Sequence, residues 1–139
     1  MKEKAAEYEV DLEMVALPQN KLDDDGEWTP NYMRGNFEKG EKEVEMVCKM
    51  VQAVGEAGIP AIKYFLCEME NQRTEAVPLG HGGVSYSTWD LSRADLEDQR
   101  WEERVSAEQN WERVTFFLES VISVAEKYEV RVACHPCDP

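Results

Sequence analysis

Apolar residues along the chain follow two helical patterns separated by short apolar runs. Between Glu38 and Ala57, the residues Val44, Val47, Cys48, Val51 and Val54 or Gly55 fall three and four positions apart, with charges between them. That spacing predicts one apolar stripe on a helix. Gly58 is placed to close the helix in a left-handed conformation, and Pro60 prevents its continuation. A second helix is predicted from Ser106 to about Tyr128. Its stripe is Trp111, Val114, Leu118, Val121, Ile122 and Ala125, widened by Phe117, with Trp111 expected in the core. Ser106-Ala107-Glu108-Gln109 reads as a capping box, in which the Ser and Gln side chains satisfy backbone N–H groups at the helix start. Glu129 stands at the following turn, where Gly is usual.

Three short apolar runs read as strands: Val10–Leu17, ended by Pro18, then Ile59–Leu66, then Val130–Cys134. Residues 1–9 read as a helix end or a lead-in. Residues 19–37 read as a loop, broken by three aspartates, Gly26, Pro30 and Gly35. Residues 67–105 form a long insertion, the least regular part of the chain. Within it Val84–Trp89 suits a short extended piece, and Asp90–Arg104 is highly charged with Trp101 as its bulky anchor.

Strands alternating with helices predict parallel βαβ units with right-handed crossovers. The expected fold class is α/β: a fragment of a (β/α)8 TIM barrel, with about three parallel strands and their crossover helices, forming a single domain over 1–139. The 139 residues are about half of the ~250 in a complete barrel of this kind. Three such strands leave open edges and an uncovered sheet face, so the chain by itself is expected to be unstable or to associate.

A net charge of −14 changes the choice of partners: it repels nucleic acid and anionic membrane. No run reaches the ~18 apolar residues of a transmembrane helix, and the charged start, Met1-Lys2-Glu3-Lys4, has no apolar segment behind it to form a signal peptide. The expected location is cytoplasmic. Cys48, Cys67, Cys134 and Cys137 are then expected as reduced thiols. Cys134-x-x-Cys137 has zinc or redox spacing, but lacks both a second pair and a helix N-terminus.

His135 is the sharpest candidate for chemistry. It follows a strand that follows a helix, the place where an α/β barrel keeps its site. Imidazole is a common ligand for transition metals, and Asp138 could ligate or orient. The same spacing also suits a strand-end histidine without a role. Arg73, soon after the second strand, could clamp a carboxylate in bidentate fashion, or be a surface loop arginine. His81, among Gly80, Gly82 and Gly83, lacks the Lys-Ser/Thr of a phosphate loop.

The stretch from Trp111 through Tyr128-Glu-Val-Arg-Val-Ala-Cys-His135-Pro-Cys-Asp-Pro139 resembles the mannonate dehydratases, where it leads into a His-Pro-Asp-Asp-Pro motif. Val47–Tyr64 resembles a helix and strand of that family. Arg73-Thr74 and Gly82–Asp90 resemble the loop that follows. The wider group is the xylose-isomerase-like barrels. The resemblance implies a (β/α)8 barrel with Mn2+ or Fe2+, dehydrating D-mannonate to 2-keto-3-deoxy-D-gluconate in hexuronate catabolism. It implies His135 as a metal ligand, Arg73 near the sugar acid substrate, and a homo-oligomer of the full-length enzyme.

The sequence departs from the family at Cys137, which replaces an Asp, and at His81, which replaces an arginine. It departs also at Lys63-Tyr64, where the family shows Tyr-Asn-Phe nearby. The later strands expected to bring further ligands do not follow, so an inactive fragment is expected. A sugar isomerase or epimerase of the same barrel group, and a non-catalytic remnant or interaction module, are the alternative readings.

Overall fold

The computed structural model describes residues 2–18, 29–66, 73–78, 81–94 and 105–135. Its main body is a parallel sheet of three strands, β1 (Val15–Ala16), β2 (Ala61–Tyr64) and β5 (Arg131–Cys134), in the order β1-β2-β5. Two crossover helices, α2 (Phe37–Glu56) and α3 (Ala107–Lys127), pack against each other beside it. A short α1 (Lys2–Ala6) precedes β1, and a separate antiparallel hairpin, β3 (Thr74–Pro78) and β4 (Ser85–Thr88), lies between β2 and α3.

Helix α2 buries Gly40, Glu43, Val44, Val47 and Val51, so the predicted Val44, Val47 and Val51 continue one turn toward the amino end, while Cys48 and Val54 are partly buried beside them. Gly40 is required there. A Cβ at this position would stand 2.8 Å from Tyr32 Cβ and 2.9 Å from Tyr32 Cα. Helix α3 begins with the predicted capping box: Gln109 N–H donates to Ser106 Oγ at 3.2 Å, and Ser106 N–H donates to Gln109 Oε1 at 2.8 Å. Its fully buried positions are Phe117, Val121 and Ala125.

Trp111, expected in the core, lies outside it. It is 70% exposed, because at 100° per residue it lies about 120° around the helix from Phe117. Arg113 is partly buried in that first stretch, donating from Nη1 to the carbonyl of Met33 at 2.8 Å.

The two helices hand over to their strands in the same way. After α2, Gly58 N–H donates to Gly55 O and Ile59 N–H to Val54 O. After α3, Glu129 N–H donates to Glu126 O and Val130 N–H to Ala125 O. Both pairs are the two hydrogen bonds of a Schellman cap. The left-handed residue is Gly58 (φ +66) in one and Glu129 (φ +56) in the other. A glutamate there carries a steric cost that glycine does not.

β1 is shorter than Val10–Leu17. Val10 is 57% and Met14 44% exposed, whereas Leu17 is buried. The register Val15↔Ile62 carries an earlier residue toward Pro60, which has no N–H to give to a ladder. The sheet is continued at its other end by Leu17 N–H donating to Lys63 O at 2.9 Å. Thr74–Pro78 and Ser85–Thr88, in the stretch expected to be mostly irregular, pair as the hairpin. It is tied by Thr74 Oγ1 to Thr88 O (3.1 Å) and Thr88 Oγ1 to Glu75 O (3.0 Å). The extended piece expected at Val84–Trp89 is strand β4.

The core lies between the sheet and the helices: Leu17, Ile62, Tyr64, Val44, Val47, Val51, Phe117, Val121 and Ala125, with Tyr32 and Met33 from the turn after β1. No helix among the described residues is long and apolar enough to cross a membrane.

Candidate functional site at the carboxyl edge of the sheet

Parallel register sorts the sheet's side chains. Val15, Ile62 and Val132 are register neighbours packed into the core beside the helices. Side chains alternate along a strand, so Ala16, Lys63 and Ala133 occupy the opposite face, and His135 follows Ala133 on that same face. His135 is exposed at the carboxyl edge, where the sequence placed it. Its backbone is fixed: His135 N–H donates to the carbonyl of Tyr64 at 2.7 Å.

Tyr64 had no signal in the sequence that marked it. It is buried, 7% exposed, with its ring 5.4 Å from Phe117, which in turn stacks on Tyr32 at 5.3 Å. This aromatic column joins β2, α3 and the turn after β1 under the carboxyl edge. Burial, followed by a hydrogen bond and charge from Cys134, pushes the Tyr64 phenol up to about 12. The phenol is therefore a neutral O–H group throughout the physiological range. Cys134 is a free thiol, its Sγ 3.8 Å from the carbonyl oxygen of His135. Cys48, also free and packed beside the core, has its thiol pushed up by burial and by the Glu45 carboxylate.

The turn after β1 is held by a buried carboxylate. Glu43, 3% exposed, accepts from Asn31 Nδ2 at 2.8 Å and from Tyr32 N–H at 3.3 Å. Arg34 Nη2 donates to Asn31 Oδ1 at 2.8 Å. Charge patterning gave no hint of this, since a glutamate among Glu41, Lys42 and Glu45 reads as solvated. Buried carboxylates are tolerated when hydrogen-bonded in this manner.

Arg73 is exposed at the start of the hairpin, and the hairpin is a sheet of its own. His81 is exposed in a turn, His81–Gly83, in which Gly82 (φ +70) and Gly83 (φ +78) are left-handed. Cys137 and Asp138 lie outside the described residues, as do Pro136, Cys67, Gly80, Trp101 and residues 19–28. Among the described residues no group of three or more His, Cys, Asp or Glu side chains could hold a metal ion. His135 is thus one candidate donor and not by itself a metal site.

Comparison with known proteins agrees with the resemblance in the sequence. The D-mannonate dehydratase (UxuA) family model matches residues 88–139, the stretch that contains α3, β5 and His135. The fold is similar to the crystal structure of mannonate dehydratase from Streptococcus suis serotype 2, with a TM-score of 0.76 at 18% identity. That match covers 99% of this chain and 40% of the dehydratase chain. The fold is accordingly similar to part of the TIM-barrel-like fold of that protein, and the chain spans less than half the length of the protein it matches.

Proposed function

We propose that this chain is part of a hydro-lyase that dehydrates D-mannonate to 2-keto-3-deoxy-D-gluconate. The observation that carries the reading is the family match over 88–139, a stretch that delivers His135 to the carboxyl edge of a parallel strand. That edge is where barrels of this class keep their chemistry. The reaction removes the proton at C2 and expels the hydroxyl at C3. It needs a group to handle protons and a centre to stabilise the developing charge.

In this reading His135 offers its imidazole to Mn2+ or Fe2+, with the remaining donors outside the described residues. A bound dication would supply charge stabilisation at the substrate oxygens. The Tyr64 carbonyl holds the His135 backbone, and the aromatic column beneath it fixes Tyr64. Arg73 lies near the substrate. The chain by itself turns over no mannonate, and the sugar acid is its small-molecule partner. The full-length enzyme is a cytoplasmic homo-oligomer. A sugar isomerase of the same barrel group would share the histidine but form no 2-keto-3-deoxy acid.

The test joins a metal measurement to a product measurement. Mn2+ should broaden the His135 ring resonances of the purified chain, and His135→Ala should weaken its Mn2+ affinity. The chain should form no keto-deoxy acid from mannonate until the remaining barrel segments are supplied as a second polypeptide. Activity in that complemented form, lost in His135→Ala, supports the reading. Isomerised sugar without keto-deoxy acid overturns it.

A further inference from the structure

Lys63 sits in the middle of the sheet face that the helices leave uncovered. Its register partners are Ala16 on β1 and Ala133 on β5, so a methyl group lies on either side of a long cationic stem. The residue is partly buried. Among the described residues its ammonium has neither a hydrogen bond nor an ion pair. The chain has 29 acidic and 15 basic residues, and other lysines do find carboxylates: Lys4 pairs with Glu7 at 2.9 Å and Lys49 with Glu45 at 2.7 Å. A partly buried cation without a counter-charge is a ready anion site, because hydrogen bonds to ionised groups gain strength away from water.

Its position relative to His135 gives the anion a place. His135 lies one strand over and two residues further toward the carboxyl edge, on the same face. With strands ~4.8 Å apart and a rise of ~3.3 Å per residue, the two Cα atoms stand roughly 8 Å apart. A lysine stem leaning along its strand shortens that gap for its ammonium. The remaining space suits a few-atom ligand whose one end is anionic. Arg131, also on this face, is the register partner of Ala61 and lies at the opposite end of the strand from His135. Arg73 belongs to the separate hairpin.

We propose that Lys63 is a substrate-binding residue that holds the carboxylate of the sugar acid. The identity of the acid rests on the dehydratase reading; the role of the lysine rests on the sheet. Lys63 is also a point at which this sequence departs from the family pattern, so the assignment is specific to this chain.

The experiment is a titration of the purified chain with D-mannonate and, separately, with the uncharged polyol D-mannitol, followed by amide and side-chain NMR shifts. The unchanged Tyr64 and His135 amide shifts report that each variant is folded. Lys63→Met should weaken mannonate binding at least about tenfold and leave mannitol unaffected. Lys63→Arg should retain affinity to within about threefold, and Arg131→Met, at the far end of the same face, should not reproduce the loss. Wild-type affinity in Lys63→Met overturns the assignment. So does an equal loss in Arg131→Met, or the absence of mannonate binding by the wild-type chain. If acetate competes as well as mannonate and Lys63→Met still abolishes binding, the lysine's role stands and the mannonate reading falls.

Discussion

The N–H of His135 donates to the carbonyl of Tyr64 across 2.7 Å, so the exposed candidate ligand is fixed by one of the most buried residues of the sheet. The hydrogen bond extends the β2–β5 ladder by one rung beyond Cys134. Through it, anything that moves Tyr64 moves the backbone from which the imidazole projects.

The aromatic column under Tyr64 should then govern both stability and site geometry. Phe117 is fully buried and contacts both Tyr32 and Tyr64. Phe117→Ala should cost about 3–5 kcal/mol, read by urea denaturation, and should shift the His135 amide resonance. Phe117→Leu should cost much less.

Tyr64 should titrate apart from the other phenols. Its value of about 12 in the folded chain lies above the ~10 of an unfolded tyrosine. The neutral form is favoured by folding, so the contribution to stability is complete below pH ~10 and is lost as pH rises through about 12. Absorbance at the phenolate band should show one tyrosine still neutral when exposed ones have ionised, and Tyr64→Phe should remove that late step.

Glu129 should be improvable. It holds a left-handed φ of +56 in a cap whose counterpart in the other helix uses Gly58. Glu129→Gly should stabilise the chain by about 0.5–1 kcal/mol, the steric cost of the left-handed residue less the entropy of glycine. Gly58→Ala should destabilise by a similar amount in the opposite direction. Thermal melts of the two variants provide the comparison.

Trp111 should be dispensable to the core. At 70% exposure, its replacement by Ala should change stability by less than about 0.5 kcal/mol, and its fluorescence should be quenched readily by acrylamide. A buried tryptophan would cost several times more.

Where local chemistry decides structure, the sequence was readable. The capping box at Ser106, the stripe Val44–Val47–Val51 and the apolar runs that became β2 and β5 are all set by neighbours a few positions away. The place of Trp111 at the start of α3 was not, because its spacing suits the stripe that Phe117, Val121 and Ala125 do bury, and only packing against Tyr32 and Tyr64 shows that the buried face begins at Phe117. The burial of Glu43 depends on Asn31 and the backbone of Tyr32, partners that no periodicity reveals. The β3–β4 pairing joins Thr74 to Thr88 through side-chain hydroxyls rather than through an alternating apolar pattern. At the candidate site, the position of His135 was legible from the helix–strand order. The face it shares with Lys63 became visible only with the register of three strands.

That register also ranks the sheet's seams by durability. β2 is joined to β5 over four residue pairs, Ala61↔Arg131 through Tyr64↔Cys134, and to β1 over only Val15↔Ile62 and Ala16↔Lys63. Spontaneous opening will therefore begin at the β1 seam, where amide protons exchange with solvent soonest. The β2–β5 seam carries His135 and belongs to the last cooperative unit to come apart, so the segment bearing the imidazole keeps its shape through motions that peel the amino-terminal strand away.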